Sequence, residues 1–155
     1  MSDDWRGPSR NYLKLRRVEV VVVTVVGAIV VGALLGSSQG GTIAGGCVAA
    51  ILVAGAVSLV VVQRRFAAWG YAERGGDLLV KRGVLFARLS VIPYGRMQFI
   101  DVTASPFERL FGIATVRMHT AAAATDARIV GLEKDDAAQL RDKLAELGEA
   151  QAAGL

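Results

Sequence analysis

The sequence predicts an α+β protein. We expect an N-terminal transmembrane hairpin of two helices, followed by a small antiparallel β-barrel or sandwich with one C-terminal capping α-helix. Three observations predict this class. The 155-residue chain is 53% hydrophobic, with a mean hydropathy of +0.43. No charged residue and no histidine occurs from Val20 to Val62. The part that follows alternates short β-type runs with turns and ends in one amphipathic stretch.

The uncharged block is long enough for two membrane spans, because one span needs about 20 apolar residues. Polar and helix-breaking residues at 36–42 divide it into segments at about 18–35 and 43–62. Backbone amides in hydrocarbon must be satisfied internally, so we expect a helical hairpin over 18–62. A cleavable signal peptide fits less well, since no cleavage site follows the first segment and a second span follows at once.

Basic residues flank the spans and are absent from the run between them. Arg16 and Arg17 precede the first span, and Arg64 and Arg65 follow the second. The positive-inside rule therefore predicts a multi-pass protein of the cell (inner) membrane with both termini in the cytoplasm. The four arginines are the predicted anchors at the lipid headgroups. Residues 1–17 are then a basic cytoplasmic tail.

Small residues recur at four-residue spacing in both spans. Such stripes let helix backbones approach closely. We interpret them as positions of helix packing, either within the hairpin or against a second copy or a partner's helix. The residues concerned are Gly32, Gly36, Gly46, Ala50 and Ala54. The absence of ionisable residues between Val20 and Val62 argues against a channel or a proton pathway.

Residues 63–149 have the pattern of a small β-rich domain. Because no helical crossover separates the β-type runs, we expect them to pair as an antiparallel meander. The predicted strands cover 66–74, 77–82, 87–93, 98–103, 113–120 and 128–132. Gly75 and Gly76 are predicted to form a two-residue hairpin turn that tolerates positive φ, and Gly83 starts a further turn.

One helix is predicted over 135–147, and residues 150–155 form a short tail. Acidic Asp135 and Asp136 suit its first turn, and Gly148 is a plausible stop. Its apolar face carries Ala137, Leu140, Leu144 and Leu147. We expect this face to cover one open end or face of the β-domain.

Three sequence blocks carry a family resemblance. They are I-P-Y-G-R-M-Q-F-I-D-V from Ile92, S-P-F-E-R-L-F-G-I-A-T-V from Ser105, and H-T-A from His119. Together they resemble the bacterial pleckstrin-homology-like, membrane-flanked domain family, in particular its small YdbS-like members. The resemblance covers nearly the whole chain and implies a cytoplasmic PH-like barrel, no known catalysis, and action beside a larger relative with several such domains. The sequence departs from the pattern at Ala121–Ala124, where a Gly/Ser-rich loop is expected.

The residues of these blocks also have structural explanations. Pro93 ends a strand because proline has no amide hydrogen for a β-ladder. Gly112 supplies a left-handed turn. Four charged residues are predicted to form a partly buried ion network in preference to a binding site. These are Arg96, Asp101, Glu108 and Arg109. The apolar residues Phe107, Leu110 and Phe111 are predicted to lie in the core.

Residues for catalysis or metal binding are few. His119 is the only histidine and Cys47 the only cysteine. The predicted topology places Cys47 in the membrane and His119 in the aqueous β-domain, so the two cannot form one site within a chain. No glycine-rich phosphate cradle occurs. The sequence therefore predicts no catalytic residue, no metal and no cofactor. The basic residues beside the spans already explain most of the excess behind a pI of 9.6, so no nucleic-acid partner is predicted.

These features predict a non-enzymatic integral membrane protein that tethers a cytoplasmic PH-like domain. The domain would mediate interaction with a protein or with lipid headgroups, as a subunit of a complex with a larger PH-like membrane protein. Lys81, Arg82 and Arg88, around the early turns, are the predicted contacts. The alternative is an accessory component of a membrane transport or export/immunity system. Either function implies the lipid bilayer and a membrane protein or second copy as partners.

Overall fold

The computed structural model describes residues 4–36, 41–120 and 127–154. It divides into two compact units. One unit is Leu13–Arg64, and all of its described residues are helical. The other combines Met1–Tyr12 with Arg65–Leu155 and contains the β-domain. Residues 37–40 of the predicted connection between the spans, and the Ala121–Ala124 run, lie outside the described residues.

Two long apolar helices contain the predicted spans. Helix α1 covers Arg10–Gly36 and helix α2 covers Gly41–Ala68. Their 27 and 28 residues are enough to cross a hydrocarbon layer of about 30 Å at about 1.5 Å per residue. Arg17 Nη2 donates to Gln63 Oε1 at 2.7 Å, so the first turns of α1 meet the last turns of α2. This contact agrees with a hairpin whose basic ends lie together.

The two helices pack through glycine, but only partly through the predicted stripes. Gly55 is buried, and a Cβ there would lie 2.5 Å from the Cγ2 and Oγ1 atoms of Thr24. Gly32 also faces the other helix, with its would-be Cβ 3.6 Å from Val48 Cγ2. The other stripe residues are exposed in this chain: Gly36, Gly46, Ala50 and Ala54. Their packing against a second copy or a partner stays a prediction.

The β-domain consists of two three-stranded antiparallel meanders. The first contains β1 (Gly70–Glu73), β2 (Asp77–Arg82) and β3 (Arg88–Pro93) in that order. The second contains β4 (Met97–Thr103), β5 (Ile113–Thr120) and β6 (Ala127–Glu133) in that order. The 3₁₀ turn Tyr94–Arg96 joins them. The sheets share one core as a sandwich and form no closed barrel among the described residues, which decides between the two predicted forms.

The core lies between the two sheets and the C-terminal helix α4 (Lys134–Ala152). Every second residue of β5 points inward, as predicted from its alternation. The helix contributes the predicted Ala137, Leu140 and Leu144, all of which are buried, while Leu147 is partly buried. Tyr94, fully buried in the 3₁₀ turn, fills the end of the core.

Two predicted boundaries are wrong. Phe66 does not begin a strand, because α2 continues through it to Ala68. Gly75 and Gly76 do lie in the predicted turn between β1 and β2, where Arg74 N donates to Asp77 O at 2.9 Å across them, and neither glycine has a positive φ. Gly148 does not stop α4. Its would-be Cβ lies 3.5 Å from Tyr94 O, so the helix continues through this residue while packing against the 3₁₀ turn.

The N-terminal residues form part of the β-domain. Arg6 and Tyr71 exchange two backbone hydrogen bonds of 2.8 Å, which adds a one-residue bridge to the edge of β1. Ser9 N then donates to Gly131 O in β6 at 2.7 Å. Residues 6–12, which we call the N-terminal strap, therefore connect an edge strand of the first sheet to an edge strand of the second.

Candidate functional site

The hairpin between β2 and β3 brings the three predicted contact residues together. We call residues 81–89 the β2–β3 finger. Arg82 lies directly opposite Arg88, and Lys81 lies opposite Leu89. Gly83 closes the turn with φ +106°, and a Cβ on it would overlap the Phe86 carbonyl oxygen. The finger therefore depends on glycine at this one position.

The tip of the finger is apolar and lies in solvent. Val84 is 41% exposed, Leu85 91% and Phe86 89%. For comparison, the most exposed large apolar residue described in α1 or α2 is Val23, at 71%. Removing leucine and phenylalanine side chains from water lowers the free energy. A tip built this way is therefore expected to have a partner.

The base of the finger is an unbalanced positive charge. Lys81 and Arg88 are exposed and Arg82 is half-buried. Within the described part of the chain, none of the three forms an ion pair with a carboxylate. Like charges placed directly opposite across a strand pair repel each other. An anion held between Arg82 and Arg88 would relieve this repulsion.

The second sequence block forms a capped turn. Helix α3 (Pro106–Leu110) starts with a capping box, in which Glu108 N donates to Ser105 Oγ and Ser105 N donates to Glu108 Oε2 at 2.7 Å. Thr115 Oγ1 donates to the other carboxylate oxygen of Glu108 at 3.0 Å. Gly112 follows with φ +67°, the predicted left-handed turn. Both carboxylate oxygens of Glu108 therefore accept hydrogen bonds that attach this turn to β5.

The predicted ion network is absent from the described residues. Arg96, Asp101 and Arg109 are exposed, and Asp101 lies opposite Arg117 in the strand register. No ion pair joins the four residues, because the capping box occupies the Glu108 carboxylate. Pro93 ends β3 and precedes the 3₁₀ turn, where strand pairing no longer requires an amide hydrogen.

The expectation that Phe107, Leu110 and Phe111 lie in the core is wrong for the first two. Phe107 is 62% exposed and Leu110 is 80% exposed, whereas Phe111 is half-buried. The physical reason is that α3 is a single short turn, which directs only part of its surface towards β5. His119 stacks on Phe99 with ring centroids 4.3 Å apart, which is a structural contact on the β4–β5 surface.

A cleft of about 390 Å³ lies beneath the N-terminal strap. Its charges are largely compensated: Lys143 forms an ion pair with Glu73, and Arg6 Nη1 lies 3.9 Å from the same carboxylate. Burial raises the pKa of Tyr71, and the Arg6 guanidinium opposes that rise. The Tyr71 hydrogen bond is also the main cause that raises the pKa of Arg6. These contacts fasten the strap, and sequence patterning did not reveal them.

The predicted membrane anchors occupy the ends of the two helices. Arg16 Nη1 pairs with Glu19 Oε2 at 2.8 Å, and Arg17 bonds Gln63. Arg64 and Arg65 are exposed in the last turns of α2. Cation side chains at a helix C-terminus are favourable for the helix dipole. Their contact with headgroups stays a prediction.

Two apolar helices of spanning length, followed by a two-sheet sandwich closed by a C-terminal helix, define a membrane-attached PH-like protein. The family model for the bacterial PH domain matches residues 20–148, and the chain belongs to this family. The predicted resemblance is thereby confirmed. The match begins within α1 and includes the whole of α2 and the six strands of the sandwich.

Comparison with curated proteins agrees with this assignment. The chain is 27% identical over 97 residues to the UPF0699 transmembrane protein YdbS of Bacillus subtilis (strain 168). The match covers 62% of this chain and 60% of the length of YdbS. No solved structure matches the chain significantly. The protein is thus a membrane protein with a bacterial PH domain, and its family indicates a non-catalytic role.

Proposed function

We propose that the helical hairpin tethers the PH domain to the cytoplasmic face of the cell (inner) membrane, where the domain acts as a non-enzymatic interaction module. Both termini lie in the cytoplasm in this proposal. The domain binds at the membrane surface, as one subunit of a complex with a larger membrane protein of the same family. The bilayer itself is the second partner.

The β2–β3 finger is the observation that carries this proposal. It holds the most exposed large apolar side chains of the described residues, Leu85 and Phe86, directly beside the cations Arg82 and Arg88. An enzyme concentrates its polar groups in a cleft, but here the unbalanced groups project from the sandwich. The basic flanks of the two helices support the cytoplasmic side.

Extraction of native membranes into lipid nanoparticles, followed by crosslinking and mass spectrometry, tests the complex. We expect the 16.3 kDa chain to migrate with a larger PH-domain membrane protein in a defined stoichiometry. Recovery of the chain only as a monomer, at native expression and with crosslinker present, would contradict the proposed complex.

A second function, an accessory component of a transport or export system, is favoured by the exposed small-residue stripe on α2. Gly46 has no neighbour within 4 Å of a would-be Cβ, and Ala50 and Ala54 are exposed in the same helix. Gly46→Leu therefore places its Cβ in open space and tests association through this stripe. If the variant loses a transporter partner while the PH domain stays folded, the second function is supported. Gly45→Leu, which is equally open, is the matched control.

A further inference from the structure

We propose that the β2–β3 finger inserts its apolar tip into an anionic bilayer while Arg82 and Arg88 bind lipid phosphate. This inference rests on the proposed function, because it assumes that the domain faces a membrane surface. It adds a definite occupant, an anionic phospholipid bilayer, and a definite depth order along one hairpin. Lys81 pairs with Leu89, on the opposite face of the hairpin from Arg82 and Arg88.

The order of side chains along the finger matches the order of layers in a bilayer. The tip residues Val84, Leu85 and Phe86 are consecutive and apolar, and Arg82 and Arg88 stand two positions before and after them. A tip that enters the acyl boundary therefore places the guanidinium groups at headgroup depth. This arrangement of apolar residues with flanking Lys or Arg is typical of segments that lie in the membrane interface.

The apolar surface continues from the tip along the edge strand β3. Leu89 is 55% exposed and Val91 52% exposed, and both point to the outer face of the sheet, whereas Ile92 is buried. Residues two apart in a strand share a face, so the two side chains form one strip. The strip gives the finger a broader contact with the interface than the tip alone provides.

The finger is already shaped for insertion. Arg82 and Arg88 are paired in the ladder, and Gly83 adopts a left-handed conformation that only glycine accepts readily. A preformed hairpin loses little conformational freedom when it binds. Only β1 and β2 separate the end of α2 from the tip, so attachment to the membrane keeps the finger at a high effective concentration.

Charge favours the bilayer over a neutral partner. Arg82 and Arg88 face each other without a carboxylate ion pair among the described residues, so an anion removes their mutual repulsion. Phosphate from a lipid supplies that anion at the same surface that accepts Leu85 and Phe86. A soluble phosphate would satisfy the arginines but leave the tip in water.

The test places an environment-sensitive fluorophore at the tip of the full chain. Val84→Cys is labelled in a Cys47→Ser background, which leaves Leu85 and Phe86 intact and removes the only native cysteine. The labelled chain is reconstituted into nanodiscs of phosphatidylcholine alone or with phosphatidylglycerol. In anionic nanodiscs we expect a blue-shifted emission and quenching by lipids brominated on the acyl chain. Leu110→Cys, 80% exposed on α3, is the matched control and stays water-like.

Two sets of variants separate the apolar and the charged contributions. Leu85→Ser with Phe86→Ser is expected to lower the ratio of inserted to aqueous label by at least about tenfold, because two large side chains no longer leave water. Arg82→Gln and Arg88→Gln are each expected to lower it by about fivefold in anionic nanodiscs. They should have little effect in neutral ones. Arg109→Gln, an exposed arginine on α3, is the control for charge.

Three results would overturn the proposal. In the first, the label stays in an aqueous environment in both kinds of nanodisc. In the second, inorganic phosphate added to neutral nanodiscs gives the same blue shift, which identifies a free anion as the ligand. In the third, the label shifts without quenching by brominated lipid, which identifies a protein or a second copy as the occupant. The proposed function fails separately, if a cysteine on α4 such as Glu146→Cys proves to lie outside the cell. If the domain is cytoplasmic but the label at the finger tip stays in water, only this inference fails and the proposed function stands.

Discussion

Gly131 shows how a single residue without a side chain holds the N-terminal strap. It adopts φ +70° at a register shift in β6, and its carbonyl accepts the hydrogen bond from Ser9. A Cβ at this position would lie 2.5 Å from Tyr12 Cβ. Glycine is therefore required twice, once for the backbone conformation and once for the close approach of the strap.

The first prediction compares two glycines with almost the same φ. The Cβ added by Gly112→Ala has no atom within 4 Å. This variant therefore measures only the cost of the left-handed conformation, about 1–2 kcal/mol in the free energy of unfolding. Gly131→Ala should cost at least about 1 kcal/mol more, because it also displaces Tyr12. Thermal unfolding of the two variants in the same detergent measures the difference. Equal destabilisation would show that the strap does not pack on Gly131.

Ionisation of Tyr94 makes the domain less stable at alkaline pH. Burial, with smaller contributions from Glu73 and Asp77, raises the pKa of Tyr94 to about 12 from an ordinary value of 10.0. A group whose pKa is raised on folding stabilises the folded state fully below its unfolded pKa. This contribution is then lost as the pH rises from about 10 towards about 12.

Tyr94→Phe tests this pH dependence. The variant cannot ionise at position 94, so its melting temperature should fall less steeply above about pH 10 than that of the native protein. Each protein is compared with its own value at about pH 8, where the phenol is neutral in both states. Tyr71, whose pKa burial also raises, remains in both proteins and titrates in each. Superimposable pH profiles would contradict the assignment to Tyr94.

At the scale of elements, the sequence patterns located every strand and the C-terminal helix. Alternation succeeded in β5, where each inward residue is buried, and helical spacing succeeded in α4. Phe66 was misassigned because an aromatic residue after two arginines fits a strand as well as the last turn of a helix. Gly148 was misassigned because α4 continues past it while packing against the Tyr94 backbone, and propensity does not report tertiary contact.

The candidate site was only half predictable. Lys81, Arg82 and Arg88 were found from their charge, but the sequence gives no register, so their direct opposition appears only in the structure. Val84, Leu85 and Phe86 had a recognisable signal, three consecutive apolar residues inside a turn between cations. The N-terminal strap had no signal, because its backbone hydrogen bonds have no sequence pattern and its side-chain contacts join residues far apart in the chain.

The contact of Gly55 with Thr24 gives a prediction for the helical hairpin. Gly55→Ala overpacks this contact and should destabilise the hairpin by about 1–3 kcal/mol. Thr24→Ala removes the two nearest atoms and should recover part of the loss in a double-mutant cycle. Gly46→Ala, which has open space around it, should be neutral or slightly stabilising. Thermal loss of helix signal in detergent measures all four proteins, and additive effects would contradict the contact.

At the scale of the whole molecule, sequence composition separates two units with different surroundings. The uncharged helices supply attachment to the membrane, and the bacterial PH domain carries the exposed finger. In our proposal, the cations at the helix ends and on the finger contact lipid headgroups. The central claim is therefore that the domain lies at the cytoplasmic surface of the membrane that the helices cross.

Cysteine labelling in cells tests this claim most directly. In a Cys47→Ser background, Glu146→Cys places a thiol on the exposed side of α4, and Gly41→Cys places one at the start of α2. A membrane-impermeant maleimide is added to spheroplasts before and after permeabilisation. We predict that position 41 is labelled at once and position 146 only after permeabilisation. Labelling of position 146 in intact spheroplasts would contradict the account.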